Sequence, residues 1–281
     1  MAAKNSQDAS VRLKAQQMRE AQEKADRRTR AIIISIVSVV VLAVVATVAV
    51  VIAHQVGQKR DAMTADPRTT LGEYADGKPI VYSRLGLGKA DESLPTLTEY
   101  FDYSCHACAN IDVLVGSDIV KGATDGEYNL EIQPVTTVGM AWEGPATSAS
   151  LIVAEKDPDH WIAFHHALLA YFQSQFNSGK GQVIQDANNS WEQVKTIATE
   201  QGVPSDVVST FPMNVVKDYL EASTKAWQTA SIADRGDSLG TPEFVKDRAS
   251  RITLSGNSAQ EILGSLRSGM GLPAAESAQS K

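Results

Sequence analysis

Cysteine is almost missing from this chain: its 281 residues hold two, Cys105 and Cys108. A fold stapled by disulfides needs more of them, spaced more widely. One close pair is therefore a local ring, a metal site or a redox centre. A four-cysteine zinc site is excluded for want of a second pair. Covalent haem attachment is excluded as well, because Ala109 stands where C-x-x-C-H requires histidine. No internal repeat, Ser/His/Asp constellation, phosphate-binding glycine loop or paired-carboxylate pattern rises above chance.

Basic residues are scarce beyond the first 30. Of 26 Lys/Arg and 33 Asp/Glu, eight and four lie in residues 1–30, and the remainder carries a net charge of −11. That balance argues against a nucleic-acid partner and against extended contact with anionic lipid. Charge is absent altogether from residues 31–53, the 23-residue run AIIISIVSVVVLAVVATVAVVIA. As a helix it is roughly 34 Å long, enough to cross a hydrocarbon core of about 30 Å. The basic excess precedes it, so the positive-inside rule leaves residues 1–30 in the cytoplasm and exports the rest. A cleaved signal peptide is the competing reading, with Ala46-Thr47-Val48-Ala49 resembling a cleavage site. Its apolar core is usually about 7–15 residues, shorter than this one, so an uncleaved anchor is expected.

The remaining boundaries follow from composition and period. Residues 54–77 read as a polar linker. Residues 271–281 are small and polar and read as a disordered tail. Between them, strands are expected at 80–82, 96–101, 130–135, 244–245 and 251–254. A helix is expected at 107–120, from Ile111, Leu114, Val115 and Ile119. Asp157-Pro158 opens another, with Trp161, Phe164, Leu168, Phe172 and Phe176 on one face. Ser190 with Gln193 reads as a capping box for a helix stopping at Gly202. A further helix spans 214–233, with Tyr219, Leu220, Ser223 and Trp227 aligned. Asn257 with Gln260 opens the last, ending near Gly269. The order describes a mixed α/β domain over 78–270 with a helical insertion at about 145–235.

The segment Cys105-His106-Ala107-Cys108 falls where a strand gives way to a helix. Unpaired amides and the positive end of the helix dipole both stabilise a thiolate there, so Cys105 is expected to have a lowered pKa. A protonated His106 would lower it further. Cys105, nearer the helix start, is the natural attacking thiol. Cys108, one turn in, is the resolving thiol of a two-electron dithiol–disulfide couple. A Cys-Cys-His copper or zinc site, using His106 or a distant histidine, stays open beside this.

The sequence resembles the DsbA-like branch of the thioredoxin superfamily, especially membrane-tethered forms of Gram-positive bacteria, over about residues 78–270. EYFDYSCHAC, the Gly240-Thr241-Pro242-Glu243-Phe244 segment and the helical block containing WIAFHHALL carry the resemblance. It implies a thioredoxin-like fold with an inserted helical subdomain. It implies a cis Thr241–Pro242 peptide against the thiols, with Thr241 backbone groups pairing with a substrate peptide. It implies a buried acid beneath the site, which Glu99 would supply to relay the proton of Cys108; Glu99 shares a strand face with Phe101. Many oxidases of this kind carry proline after the first cysteine, whereas His106 stands there here, so the direction of electron flow is where this chain departs.

The function implied is oxidation of cysteine pairs in unfolded exported proteins, with reoxidation by a quinone-linked membrane partner and no cofactor or metal. Reductase or isomerase activity is the alternative, and a redox-inactive metal or peptide carrier a more remote one. His165 and His166 point about 100° apart on a helix, so they read as core or surface histidines rather than as chelators. His160 reads as a helix-start residue and His54 as a membrane-edge residue. Trp142, Trp161, Trp191 and Trp227 read as core anchors.

The topology is directly testable. Protease added to intact wall-free cells is expected to digest the domain from Lys78 onward and spare a tag at the N-terminus. Protection of the domain overturns the orientation.

Overall fold

The computed structural model describes residues 64–273 apart from Lys180 and Asp237, together with Thr47. The tail expected at 1–30, most of the span at 31–53, residues 54–63 and residues 274–281 lie outside the described residues. Among those described, no helix is long and apolar enough to cross a membrane.

A short helix, α1 (Pro67–Leu71), opens the fold. Asp66 caps it by accepting from the Thr69 amide, and proline occupies its first turn. A 3-10 turn (Gly72–Asp76) follows, and Leu71 and Tyr74 are buried in the core. The expected linker thus forms a helix from Pro67 and joins the core at Leu71 and Tyr74. Two apolar side chains suffice to anchor it, too few to register as a period.

A hairpin, β1 (Ile80–Ser83) and β2 (Gly86–Leu87), precedes β3 (Thr96–Phe101). The helix that follows comes in three parts: α2 (His106–Ile111), a π-helical turn (Asp112–Gly116) and α3 (Ser117–Thr124). The uninterrupted helix expected at 107–120 is corrected on that point. β4 (Asn129–Pro134) comes next. The helical block is α4 (Glu143–Lys156), α5 (Pro158–Ser178), α6 (Ala187–Glu200), α7 (Ser205–Val208) and α8 (Lys217–Thr229). The chain closes with β5 (Glu243–Lys246), β6 (Ser250–Ile252) and α9 (Ala259–Met270).

The six strands form one sheet in the order β2-β1-β4-β3-β5-β6. β3 and β4 pair in parallel, and every other neighbour is antiparallel. Every residue of β4 is buried, as a strand covered on both faces requires. On β3, Leu97, Glu99 and Phe101 share one face, and all three are buried.

Two helix starts differ from the sequence reading. α6 is capped by Asp186, which accepts from the Asn189 amide, while Ser190 donates its hydroxyl to the Val183 carbonyl instead. α9 starts one residue later than expected, with a reciprocal capping box between Ser258 and Glu261. α8 is shorter at both ends than the expected 214–233. All four tryptophans are buried, as are Trp161, Phe164, Leu168 and Phe172 of α5. Phe176, expected on that face, is 48% exposed. α4 is buried almost all round. Its Ser150 hydroxyl accepts from Trp161 Nε1 at 3.0 Å and from the Tyr103 hydroxyl at 2.8 Å, which ties two helices to the turn after β3.

One ion pair fastens the segment leading into Thr241. Arg235 binds Glu243 through Nε at 3.0 Å and a terminal nitrogen at 2.5 Å, with both side chains nearly inaccessible. Trp227 Nε1 donates to the same carboxylate at 2.7 Å. Arg235→Met removes the nearer cation and leaves the buried Glu243 with only Arg251, whose Nε is 3.8 Å away. It is expected to cost about 3–5 kcal/mol in urea unfolding, more than Arg235→Met with Glu243→Gln together.

Candidate active site

β3 ends at Phe101, and the turn Asp102-Tyr103-Ser104 delivers the chain to Cys105. Cys105 is the N-cap of α2, in extended backbone (φ −92°, ψ 118°). The Cys108 amide donates to its sulfur at 3.5 Å. A helix start with an N-cap side-chain acceptor thus places a sulfur where serine or aspartate usually stands. Both cysteines are free thiols; Cys105 is 6% exposed and Cys108 1%.

Their environments push the two thiols apart. Cys105 is lowered from an ordinary 9.0 to about 6, chiefly by hydrogen bonding with Cys108, which outweighs burial. The Thr241 side chain and the amides of Cys108 and Ala107 act in the same direction. Cys108 is pushed well up by burial, and the neighbouring Cys105 adds to this. His106 turns toward α5 instead of toward the sulfur. Its Nε2 lies 2.8 Å from Asn177 Oδ1, and its ring stacks on Phe176 with centroids 4.3 Å apart.

The Thr241–Pro242 peptide is cis. The Cys105 thiol donates to the Thr241 carbonyl at 3.4 Å, so residues 136 positions apart in sequence meet at the sulfur. Sequence reasoning placed these two segments but missed what joins them. The buried Asp102 carboxylate accepts from the Ser104 amide and hydroxyl, both at 2.7 Å. Its second oxygen accepts from the Thr137 amide at 2.9 Å, the Thr137 hydroxyl at 3.2 Å and the Val138 amide at 2.7 Å. The Thr137 hydroxyl also lies 2.7 Å from the Thr241 hydroxyl. The Asp-x-Ser spacing of 102–104 was the available signal, since an Asx turn has that form.

Three further acids or bases of the domain are buried. Glu99 is buried and pushed up to about 8 by burial, with Asp112 adding to the effect. Glu143 is likewise pushed up to about 8, by burial and then by Asp102. His165 is pushed down to about 4 by burial. Glu99 shares a small cavity with Asp112, His165 and His166, and Asp112 follows Cys108 by one turn. His165 and His166, read as core or surface histidines rather than chelators, both face Asp112. The 100° between them is bridged because Asp112 approaches between the two rings, at 3.8 Å from His165 Nε2 and 2.7 Å from His166 Nδ1.

A dithiol at a helix start, facing a cis-proline loop on a mixed sheet with an inserted helical block, defines a thioredoxin-like fold with a DsbA-like arrangement. Comparison with solved structures supports that fold. The chain is similar to the MdbA protein of Actinomyces oris, a thiol-disulfide oxidoreductase, with 22% identity and a TM-score of 0.55 over 67% of this chain and 86% of that one. The MdbA protein of Corynebacterium diphtheriae matches at 17% identity and a TM-score of 0.46, over 65% of this chain and 94% of that one. BdbD of Bacillus subtilis matches at 17% and 0.45, over 69% and 94%. No family model and no curated protein sequence matches the chain.

Two outcomes follow from this geometry. Alkylation of the reduced protein is expected at Cys105 alone, with a rate that rises with pH about a midpoint near 6 as thiolate forms. A midpoint near that of a free thiol contradicts the assigned environment. Asp102→Ala strands three amide donors and is expected to cost about 3 kcal/mol or more, read by chemical denaturation.

Proposed function

We propose that this chain is an extracytoplasmic protein thiol–disulfide oxidoreductase that oxidises cysteine pairs in exported proteins. The observation that carries the reading is the Cys105 sulfur, held at a helix start and touching the Thr241 carbonyl. In the oxidised protein a substrate thiolate attacks Cys105 Sγ. The Cys105–Cys108 bond breaks, and Cys108 leaves with the electron pair and takes up a proton. A mixed disulfide now joins Cys105 to the substrate. The substrate's second thiolate attacks its own sulfur in that bond, and Cys105 leaves as thiolate. Two electrons have passed to the protein and one disulfide to the substrate.

Each thiol suits its part. A leaving group is better the lower its pKa, so Cys105 at about 6 departs readily from the mixed disulfide. Cys108, pushed well up, needs a proton when it leaves. Glu99, protonated up to about 8, is the buried acid assigned to supply it. Substrate peptide is assigned to the Thr241 edge by β-augmentation. Exposed apolar side chains flank that edge in Val138, next to Thr137, and Leu239, two residues before Thr241.

Against an ordinary thiol, the Cys105 value favours the dithiol form at pH 7 by about tenfold, on the order of 30 mV. That sign favours oxidation of clients. It supplies roughly a fifth of the gap of about 150 mV between DsbA-type oxidants and thioredoxin-type reductants. Residues 31–53 are assigned as the membrane anchor, with residues 1–30 cytoplasmic, and reoxidation to a membrane redox partner.

A redox titration tests the direction. A potential nearer −120 mV than −270 mV is expected, and the converse makes the protein a reductase. Cys108→Ser is expected to trap client mixed disulfides through Cys105 on non-reducing gels, and Cys105→Ser to trap few. Equal trapping overturns the assigned roles.

A further inference from the structure

A small cavity of about 10 Å³, room for about one water, is lined in part by Asp112, Gly116, His165 and His166. We propose that Asp112, His165 and His166 bind a single divalent transition-metal ion of the zinc class, at a site separate from the cysteine pair. One ligand atom from each of the three residues lies within 4.8 Å of the others. Ligand atoms around a tetrahedral zinc ion stand about 3.3 Å apart, so small side-chain adjustments close the set.

The hydrogen bonds around the cluster leave His165 poised as a ligand. The Tyr103 hydroxyl donates to Ser150 Oγ at 2.8 Å, so its oxygen is left to accept from His165 Nδ1, also at 2.8 Å. Nδ1 therefore carries the proton, and Nε2 turns a lone pair toward Asp112 Oδ1, 3.8 Å away. Two acceptors face each other with no proton between them, an arrangement that a cation relieves. A ligating histidine ordinarily donates its other nitrogen to an outer partner in this way. His166 meets Asp112 through Nδ1, and among the described residues its buried Nε2 has no hydrogen-bond partner. Taking Nδ1 into a metal bond therefore breaks no contact on the far side of the ring.

The backbone makes the convergence possible. A Cβ at Gly116 would collide with the Asp112 carboxylate and crowd the His166 ring. Gly116 ends the π-helical turn that starts at Asp112, and such turns are frequent at functional sites. Two imidazoles with one carboxylate favour zinc, cobalt or nickel over calcium or magnesium. Three protein ligands leave a position for water, and Glu99 faces the same cavity from β3.

The test uses the full chain in detergent, with Cys105→Ser and Cys108→Ser so that no thiolate competes. Titration with cobalt(II), followed by its visible absorption, and with zinc by calorimetry is expected to give one ion per chain. Asp112→Asn and His166→Gln are each expected to weaken binding at least about tenfold, with far-UV circular dichroism and metal-free melting as in the parent. His160→Gln, which alters a separate histidine–aspartate pair, is expected to leave binding unchanged. His166 is partly exposed, so its variant reports on the site even if Asp112→Asn fails to fold. Absence of saturable uptake, or parental affinity in His166→Gln, overturns the proposal.

Discussion

The Asp102 carboxylate is the interaction on which the site's geometry rests. Five donors converge on it from two segments, Ser104 before the thiols and Thr137-Val138 after β4. Thr137 then passes the constraint to Thr241, and Thr241 to the Cys105 sulfur. The Asp102 carbonyl meanwhile accepts from the Cys105 amide at 2.9 Å, which closes the turn that aims the cysteine. Hydrogen bonds to a charged acceptor are stronger and more directional than neutral ones. Three loops that share no secondary structure are therefore held as one body around the sulfur.

Burial, with few donors near, governs two acids of this region. Glu99 and Glu143 are as inaccessible as many core residues and have few donors near them. Both are pushed up to about 8, with burial the leading cause in each. The cysteines divide by the same logic. The Cys108 side chain first, then Thr241 and the amides of the first helical turn, hold Cys105 down, whereas Cys108 lies one turn deeper, where desolvation dominates.

The sequence made the sheet, the thiol position and the Thr-Pro loop legible because each leaves a local mark: a period, a motif or a turn residue. The structure places Cys105, Thr241 and Pro242 together, and it buries Glu99. What stayed hidden was set by tertiary packing. Ser190 looks like a cap in isolation, yet Asp186 lies where the chain turns, and Ser190 finds a carbonyl to donate to. The π-helical turn has no propensity signature; it follows from Asp112 meeting a histidine on another helix across a glycine. The adjacent histidines read as core or surface residues, and His165 is buried; that both reach one carboxylate follows from Asp112 lying between their directions. The packing of Leu71 and Tyr74 shows why a stretch polar on average can still belong to the core.

The helical insertion is joined to the thiol helix along its length. At the solvent end, His106 of α2 stacks on Phe176 and meets Asn177 of α5. One turn further, Asn110 accepts from Gln173 at 2.8 Å. In the π-helical turn, Asp112 meets His166. The contacts descend α2 as they climb back along α5, the pattern of two antiparallel helices. They span 11 residues of α5, about 16 Å. The first rung lies at the solvent end, and the last is the buried acid–histidine cluster. Phe176 is exposed because it serves the upper rung, which is why the apolar face of α5 outruns the core by one turn. A displacement of α5 at either end must tilt α2, and Cys105, as the cap of that helix, must move with it.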